Sequence, residues 1–155
     1  MAIAVVRLRG HMRLRTTIED TMEHLQLTRV NHCVVLPETP DVLGMVQRAK
    51  DYITWGPIQA KDVEDLIRNR GRFMGDKPMT DETVKSMTKF ASIAELAKAI
   101  HEGKVRYSKI EGVKPIFRLN PPKKGLKGGT KRSVNARGNL GNRGQEMSKL
   151  IQRMM

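Results

Sequence analysis

The residue types that could carry covalent or metal chemistry are few and poorly spaced for it. The chain holds four histidines, His11, His24, His32 and His101, and one cysteine, Cys33. None of the histidines stands at a metal-ligand spacing from Cys33. His32 and Cys33 adjoin in an apolar run and read as a packed pair on a strand, not a reactive dyad. Residues 125–133, Gly-Leu-Lys-Gly-Gly-Thr-Lys-Arg-Ser, superficially resemble a phosphate-binding loop. Thr130, however, intervenes where that loop needs Gly followed directly by Lys, and the stretch follows Pro121-Pro122 instead of joining a strand to a helix. Asp62, Glu64 and Asp65 are spaced so that they spread around a helix axis, which makes them a solvated acidic face and not a catalytic pair. No catalytic residue, metal or cofactor is expected.

What the chain can do is neutralise phosphate. Residues 104–155 carry 14 Lys and Arg against two acids, Glu111 and Glu146, a net +12 of the chain's +13. Charge segregated in this way points to one particular surface and a polyanionic partner. Residues 120–143 hold seven cations and no acid. Their isolated Leu126, Val134 and Leu140 bury too little to offset backbone ordering of roughly 1–2 kcal/mol per residue. Glycines at 125, 128, 129, 138 and 141 would let the backbone approach phosphates closely. This stretch is therefore expected to be an arm that takes its order from nucleic acid; the alternative is a flexible linker to a C-terminal helix.

The elements that must position these cations follow from periodicity. Residues 2–9 alternate as a first strand, with Ile3 and Val5 on the face that ends in Arg7 and Arg9; these strand-end cations are expected to be exposed. A basic loop, residues 10–15, leads to a helix reaching about residue 27, with Thr16 and Glu19 as a candidate capping box. A strand at 31–36 precedes a helix opened by Thr39-Pro40-Asp41, and residues 52–58 form a third strand. The predicted core, residues 1–58, is thus β-α-β-α-β, an α+β fold of one sheet and one helical layer. Residues 59–119 read as a mainly helical extension, with helices over 60–70, after Thr80 and after Ser92, and short extended pieces at 104–107 and 114–119. Residues 120–146 are the basic arm. Met147, Leu150, Ile151 and Met154 repeat at helical spacing, so 147–155 is a helix that docks back.

A lone cysteine rules out an intramolecular disulfide framework and fits a reducing interior. No apolar segment approaches the roughly 18–20 residues that span a bilayer, and the first residues lack the pattern of a signal peptide. A soluble, cytoplasmic protein is expected. An RNA recognition motif is disfavoured, because the first strand offers no aromatic side chain for stacking. No helix has the base-reading face of a helix-turn-helix reader. Phosphate and sugar contact with a folded RNA, recognised by shape, is what remains.

Five ordered segments together resemble the large-subunit ribosomal protein L-thirty family in its long archaeal form. They are the first strand ending Arg7-Leu-Arg-Gly10; residues 25–36 with Thr39-Pro-Asp-Val-Leu-Gly-Met-Val46; Trp55-Gly56 with residues 62–71; residues 117–129; and residues 141–155. The resemblance implies a β-α-β-α-β core, an antiparallel sheet with two helices and ferredoxin-like in part, with a C-terminal extension lying against ribosomal RNA. Because the first strand begins at residue 2, without the long basic extension of eukaryotic members, an archaeal member is expected. The partners implied are large-subunit rRNA and neighbouring ribosomal proteins, with no membrane and no small-molecule substrate. In this reading Arg7, Arg9, Arg13 and Arg15 neutralise phosphates beside the first strand, while Lys123, Lys124, Lys127, Lys131, Arg132, Arg137 and Arg143 thread an arm between RNA helices. A general nucleic-acid architectural protein and an RNA-modifying enzyme with an unrecognised site are the rivals.

Overall fold

A computed structural model of the chain describes residues 1–12, 14–126 and 128–155. Strand β1, Ala2–Arg7, is buried along its whole length, and both of its faces are apolar. It therefore belongs at the centre of a sheet covered on both sides. β2 (His32–Pro37) and β3 (Ile53–Pro57) pair antiparallel to β1 on either side of it. Two short strands complete the order β4-β2-β1-β3-β5. β4 (Phe117–Arg118) runs antiparallel to β2, and β5 (Gly141–Asn142) runs parallel to β3. Helix α1 (Thr16–His24) joins β1 to β2, and α2 (Pro40–Arg48) joins β2 to β3 across β1, which gives the ferredoxin-like β-α-β-α-β core of an α+β fold.

The alternation along β1 sorts its side chains into two cores. Ile3 and Val5 pack with Val34 and Trp55 beneath Met22, Leu25, Val42 and Val46 of the α1–α2 layer. Ala2, Ala4, Val6 and Leu8 face the opposite way, onto α3 (Ala60–Arg70), α5 (Ile93–His101) and α6 (Glu146–Met154). Within residues 1–58 the sheet carries the one helical layer expected of the core, and residues beyond 58 cover its other face. The second layer is supplied by residues beyond 58, whose apolar stripes need a partner. One core cluster draws together Ala4 and Val6 of β1, Leu66 of α3, Leu96 of α5, Leu140 of the basic stretch and Leu150 of α6. The C-terminal helix docks as its periodicity predicts, with Met147, Leu150, Ile151 and Met154 all buried.

Local signals fared unevenly. α4 (Asp81–Met87) opens on a capping box between Thr80 and Thr83, and α5 opens on Ser92, whose hydroxyl accepts from the Glu95 N–H. Thr16 does not cap α1. Arg15 holds the N-cap position, its carbonyl accepting from the N–H groups of Ile18 and Glu19, so Thr16 already lies inside the helix. The extended piece expected at 104–107 does not form: residues 104–106 bend away from the end of α5 and Tyr107 opens a 3-10 turn, Tyr107–Lys109, with its ring stacked on Phe117 at 4.7 Å. Asp62 is buried and accepts a 3.1 Å hydrogen bond from Gln152 of α6, so the solvated acidic face of α3 reduces to Glu64 and Asp65. No helix among the described residues is long and apolar enough to cross a membrane.

Candidate nucleic-acid interface

The cations singled out in the sequence divide into holders and presenters. Arg7 is a holder. It is only 3 % exposed, its Nη1 donates to the carbonyls of Leu27 (2.6 Å) and Thr28 (3.1 Å), and its Nε donates to the Arg9 carbonyl (2.9 Å). The expectation that it is exposed is corrected. The loop from α1 to β2 closes over it and uses its guanidinium to satisfy the carbonyls of Leu27 and Thr28. Burial lowers its pKa, and Glu19 opposes that shift. Arg9, two residues on, stands at the surface. Its Nη1 donates to the Asp51 carbonyl at 3.1 Å, and its guanidinium lies over the Tyr52 ring, 4.9 Å from the centroid. Arg15 is exposed at the start of α1, and Arg13 lies outside the described residues.

The basic stretch shows the same division. Arg143 is half-buried: its Nη2 donates to Asn139 Oδ1 at 2.8 Å, its Nε reaches Thr54 Oγ1 at 3.4 Å, and its backbone N–H donates to the Trp55 carbonyl. Desolvation lowers its pKa, against the pull of Glu146. Thr54 Oγ1 in turn donates to the Gly141 carbonyl, and Leu140 is 4 % exposed. The expectation of an arm without a core is corrected at its end: Leu140 enters the core, and Gly141–Asn142 (β5) pairs with β3 at the edge of the folded sheet. The arm also doubles back tightly on itself. A Cβ at Gly128 would collide with the Arg137 carbonyl, and one at Gly138 with the Arg132 carbonyl. These two glycines therefore serve the arm's own packing, not an approach to phosphate. Arg153 of α6 clasps its start, donating through Nη2 to the Lys123 carbonyl at 2.7 Å. Lys123, Lys124, Lys131, Arg132 and Arg137 are left exposed on this anchored frame, and Lys127 lies outside the described residues.

Folding brings Arg9 and Lys131 to one open cleft of about 600 Å³, between the end of α2 and the arm. Lys50, Tyr52, Trp55 and Asn142 share its walls. Neither Lys50 nor Tyr52 carried a sequence signal, and Trp55 stood out only through the family resemblance, because their part in the cleft depends on where the arm returns. A second basic surface escaped the sequence altogether. At the opposite edge of the sheet, beside β4, Arg70, Arg72, Lys114 and Arg118 line one recess, and Arg29 and His32 with Arg118 line its neighbour. Asp76 tempers that patch through a 2.6 Å ion pair with Lys114, and the lysine holds the Asp76 carboxyl below its ordinary pKa. The extended piece expected at 114–119 does form β4, but its place beside β2, and with it the grouping of these cations, depends on tertiary pairing.

Covalent chemistry finds no foothold at Cys33. The thiol is buried, and burial pushes its pKa up to about 12, so it stays protonated and unreactive. His32 is packed, its Nδ1 accepting from the Arg29 N–H at 3.3 Å. Among the described residues no three His, Cys, Asp or Glu side chains cluster as metal ligands.

The comparison with known proteins agrees with this architecture. The family model of ribosomal protein L30p/L7e matches residues 3–53, essentially the span of β1 through the start of β3. The large ribosomal subunit protein uL30 of Methanosphaera stadtmanae is 44 % identical over 152 residues, covering 98 % of this chain and 99 % of the relative. The chain belongs to the L30p/L7e ribosomal protein family. The uL30 proteins of Thermoplasma volcanium (43 % over 153 residues, covering 99 % of this chain and 92 % of the relative) and Methanocorpusculum labreanum (42 % over 151 residues, 97 % and 98 %) are similar along the same length. These relatives are archaeal, and the similarity extends through the second helical layer and the arm, well beyond the L30p/L7e segment.

Proposed function

We propose that the chain is a structural, non-catalytic constituent of the large ribosomal subunit, which binds folded rRNA chiefly through its arm and the exit of β1. The observation that carries this reading is the division of labour among the cations. Arg7, Arg143 and Arg153 spend their guanidinium groups on backbone carbonyls and neighbouring side chains, while Lys123, Lys124, Lys131, Arg132 and Arg137 stay exposed on the frame so built. A pre-positioned row of cations can neutralise phosphates without first ordering the chain. Arg9 and Arg15 add cations at the exit of β1 and the start of α1, Arg13 and Lys127 are assigned to RNA binding by sequence alone, and residues 120–146 act as the RNA-facing arm of the molecule. The name shared by the relatives, large ribosomal subunit protein, supports rRNA and neighbouring ribosomal proteins as partners.

Salt dependence of binding to large-subunit rRNA fragments tests this reading. Neutralising about 6–10 phosphates should cost roughly 10³–10⁵ in affinity between about 50 and 200 mM salt on the scale known for DNA. An affinity that is flat with salt, or equal for random duplex DNA, overturns it.

A further inference from the structure

We infer that the cleft between α2 and the arm seats one unpaired RNA base, stacked on the guanidinium of Arg9. The inference rests on the RNA-binding reading above and adds a base-sized site to it. At about 600 Å³ the cleft lies within the range of small-ligand pockets, suited to a base with its ribose and too small for a duplex.

Its walls supply what a nucleotide needs. Arg9 is held by two contacts, the Tyr52 ring with its centroid 4.9 Å from the guanidinium carbon and the Asp51 carbonyl that accepts from its Nη1 at 3.1 Å. A guanidinium held in this way is a stacking plane for a base, and one that has already given up its side-chain freedom. Lys50 and Lys131 also line the cleft and can meet the flanking phosphates. Asn142 uses its Oδ1 to accept from the Gly144 N–H at 2.9 Å, which leaves its amide N–H groups for an acceptor on the base edge. Asp51 also lines the cleft, and its carboxylate is an acceptor of the kind that reads an exocyclic amine. Trp55, the chain's one tryptophan, is 8 % exposed and forms part of the wall, so its emission reports on occupancy.

The test uses the full-length protein and two hairpin RNAs of equal length, one fully paired and one with a single bulged adenosine. Labelled-RNA anisotropy reads affinity, and Trp55 fluorescence reads the cleft. The expected result is a preference of about tenfold for the bulged RNA, with Trp55 emission changing only when that RNA binds. Arg9→Lys keeps the charge but removes the plane, and should bring the preference close to one. Equal binding of both RNAs with no change in Trp55 emission overturns the inference while leaving the RNA-binding reading intact. So does a preference that survives Arg9→Lys. A Trp55 response to adenosine monophosphate alone, at the same concentration as the RNA, would assign the cleft to a free nucleotide and overturn it as an RNA site. Failure of both hairpins to bind would overturn both readings.

Discussion

Thr54 Oγ1 donates a 3.1 Å hydrogen bond to the carbonyl of Gly141 and so ties the middle of the nearly neutral domain to the basic arm. Arg143 completes the joint, reaching Thr54 with its Nε and Asn139 with its Nη2. A cation inside the joint would be costly if unpaired. Here three acceptors satisfy it, the Asn139 carbonyl among them, and it serves as a strut. Electrostatic function and tertiary structure thus share one segment, in which Arg143 is turned inward while Lys123, Lys124, Lys131, Arg132 and Arg137 face outward.

Amide exchange in the free protein should expose that arrangement. The Arg143 N–H donates to the Trp55 carbonyl at 2.8 Å, and the Leu140 N–H to the Arg132 carbonyl at 3.1 Å. Both are expected to exchange at least about tenfold more slowly than the same residues in an unstructured peptide, even without RNA. Exchange of Arg143 at the peptide rate would mean that β5 does not form in solution before RNA binds.

The helices and the three long strands were legible because each carries a period that burial must obey. Val42 and Val46 on α2, or Leu150 and Met154 on α6, leave little choice of face. The double-sided core was hidden in β1. Ala4 and Val6 read as the plain reverse of a strand until α3, α5 and α6 are seen to cover them. Arg7 was misplaced for a related reason: a cation at a strand end looks solvent-bound unless the loop that closes over it is known. The stacked pair of Arg9 and Tyr52 rests on tertiary return and has no local signature at all.

Arg7 and Arg9 should respond oppositely to the same change. Arg7→Ala strands the buried Leu27 carbonyl and opens a hole under the α1–β2 loop, so a loss of about 1–3 kcal/mol in unfolding free energy is expected. Arg9→Ala removes a partly exposed cation, and should leave the melting temperature within a degree or two while weakening RNA binding. Thermal unfolding and anisotropy titration of both variants provide the check. A stable Arg7→Ala protein would show that its hydrogen bonds contribute nothing net.

Acidification should destabilise the fold through His32. Burial foremost, and then Arg118, Arg29 and Arg7, oppose its protonation and hold its pKa below the ordinary 6.5. Below about pH 6.5 the unfolded chain takes up a proton that the folded chain refuses, so this contribution is intact above neutrality and declines as pH falls toward 5. His32→Asn retains a side-chain acceptor for the Arg29 N–H but cannot titrate, and its melting temperature should fall less steeply over that interval. Parallel melting-temperature curves for the two proteins would remove His32 as a source of the acid sensitivity.

Gly56 tests the packing between β3 and the C-terminal helix, and Gly44 on α2 serves as its control, because the same substitution should act with opposite sign at each. At Gly56 a Cβ would stand 2.5 Å from the Gly144 carbonyl oxygen and 2.9 Å from the Met147 Cβ, too near a backbone atom that no rotamer change can move. Gly56→Ala should therefore push α6 off the sheet and cost about 1–3 kcal/mol. Gly44 lies within α2 with nothing inside 4 Å of an added Cβ, and there the methyl group only restricts the unfolded chain and favours helix. Gly44→Ala should stabilise by about 0.5–1 kcal/mol. Urea unfolding of both variants reads the two signs directly. If Gly56→Ala proves neutral, the close approach of Gly144 to β3 is wrong. The route by which the arm returns to the sheet through Gly141, Asn142 and Arg143 would then have to be redrawn.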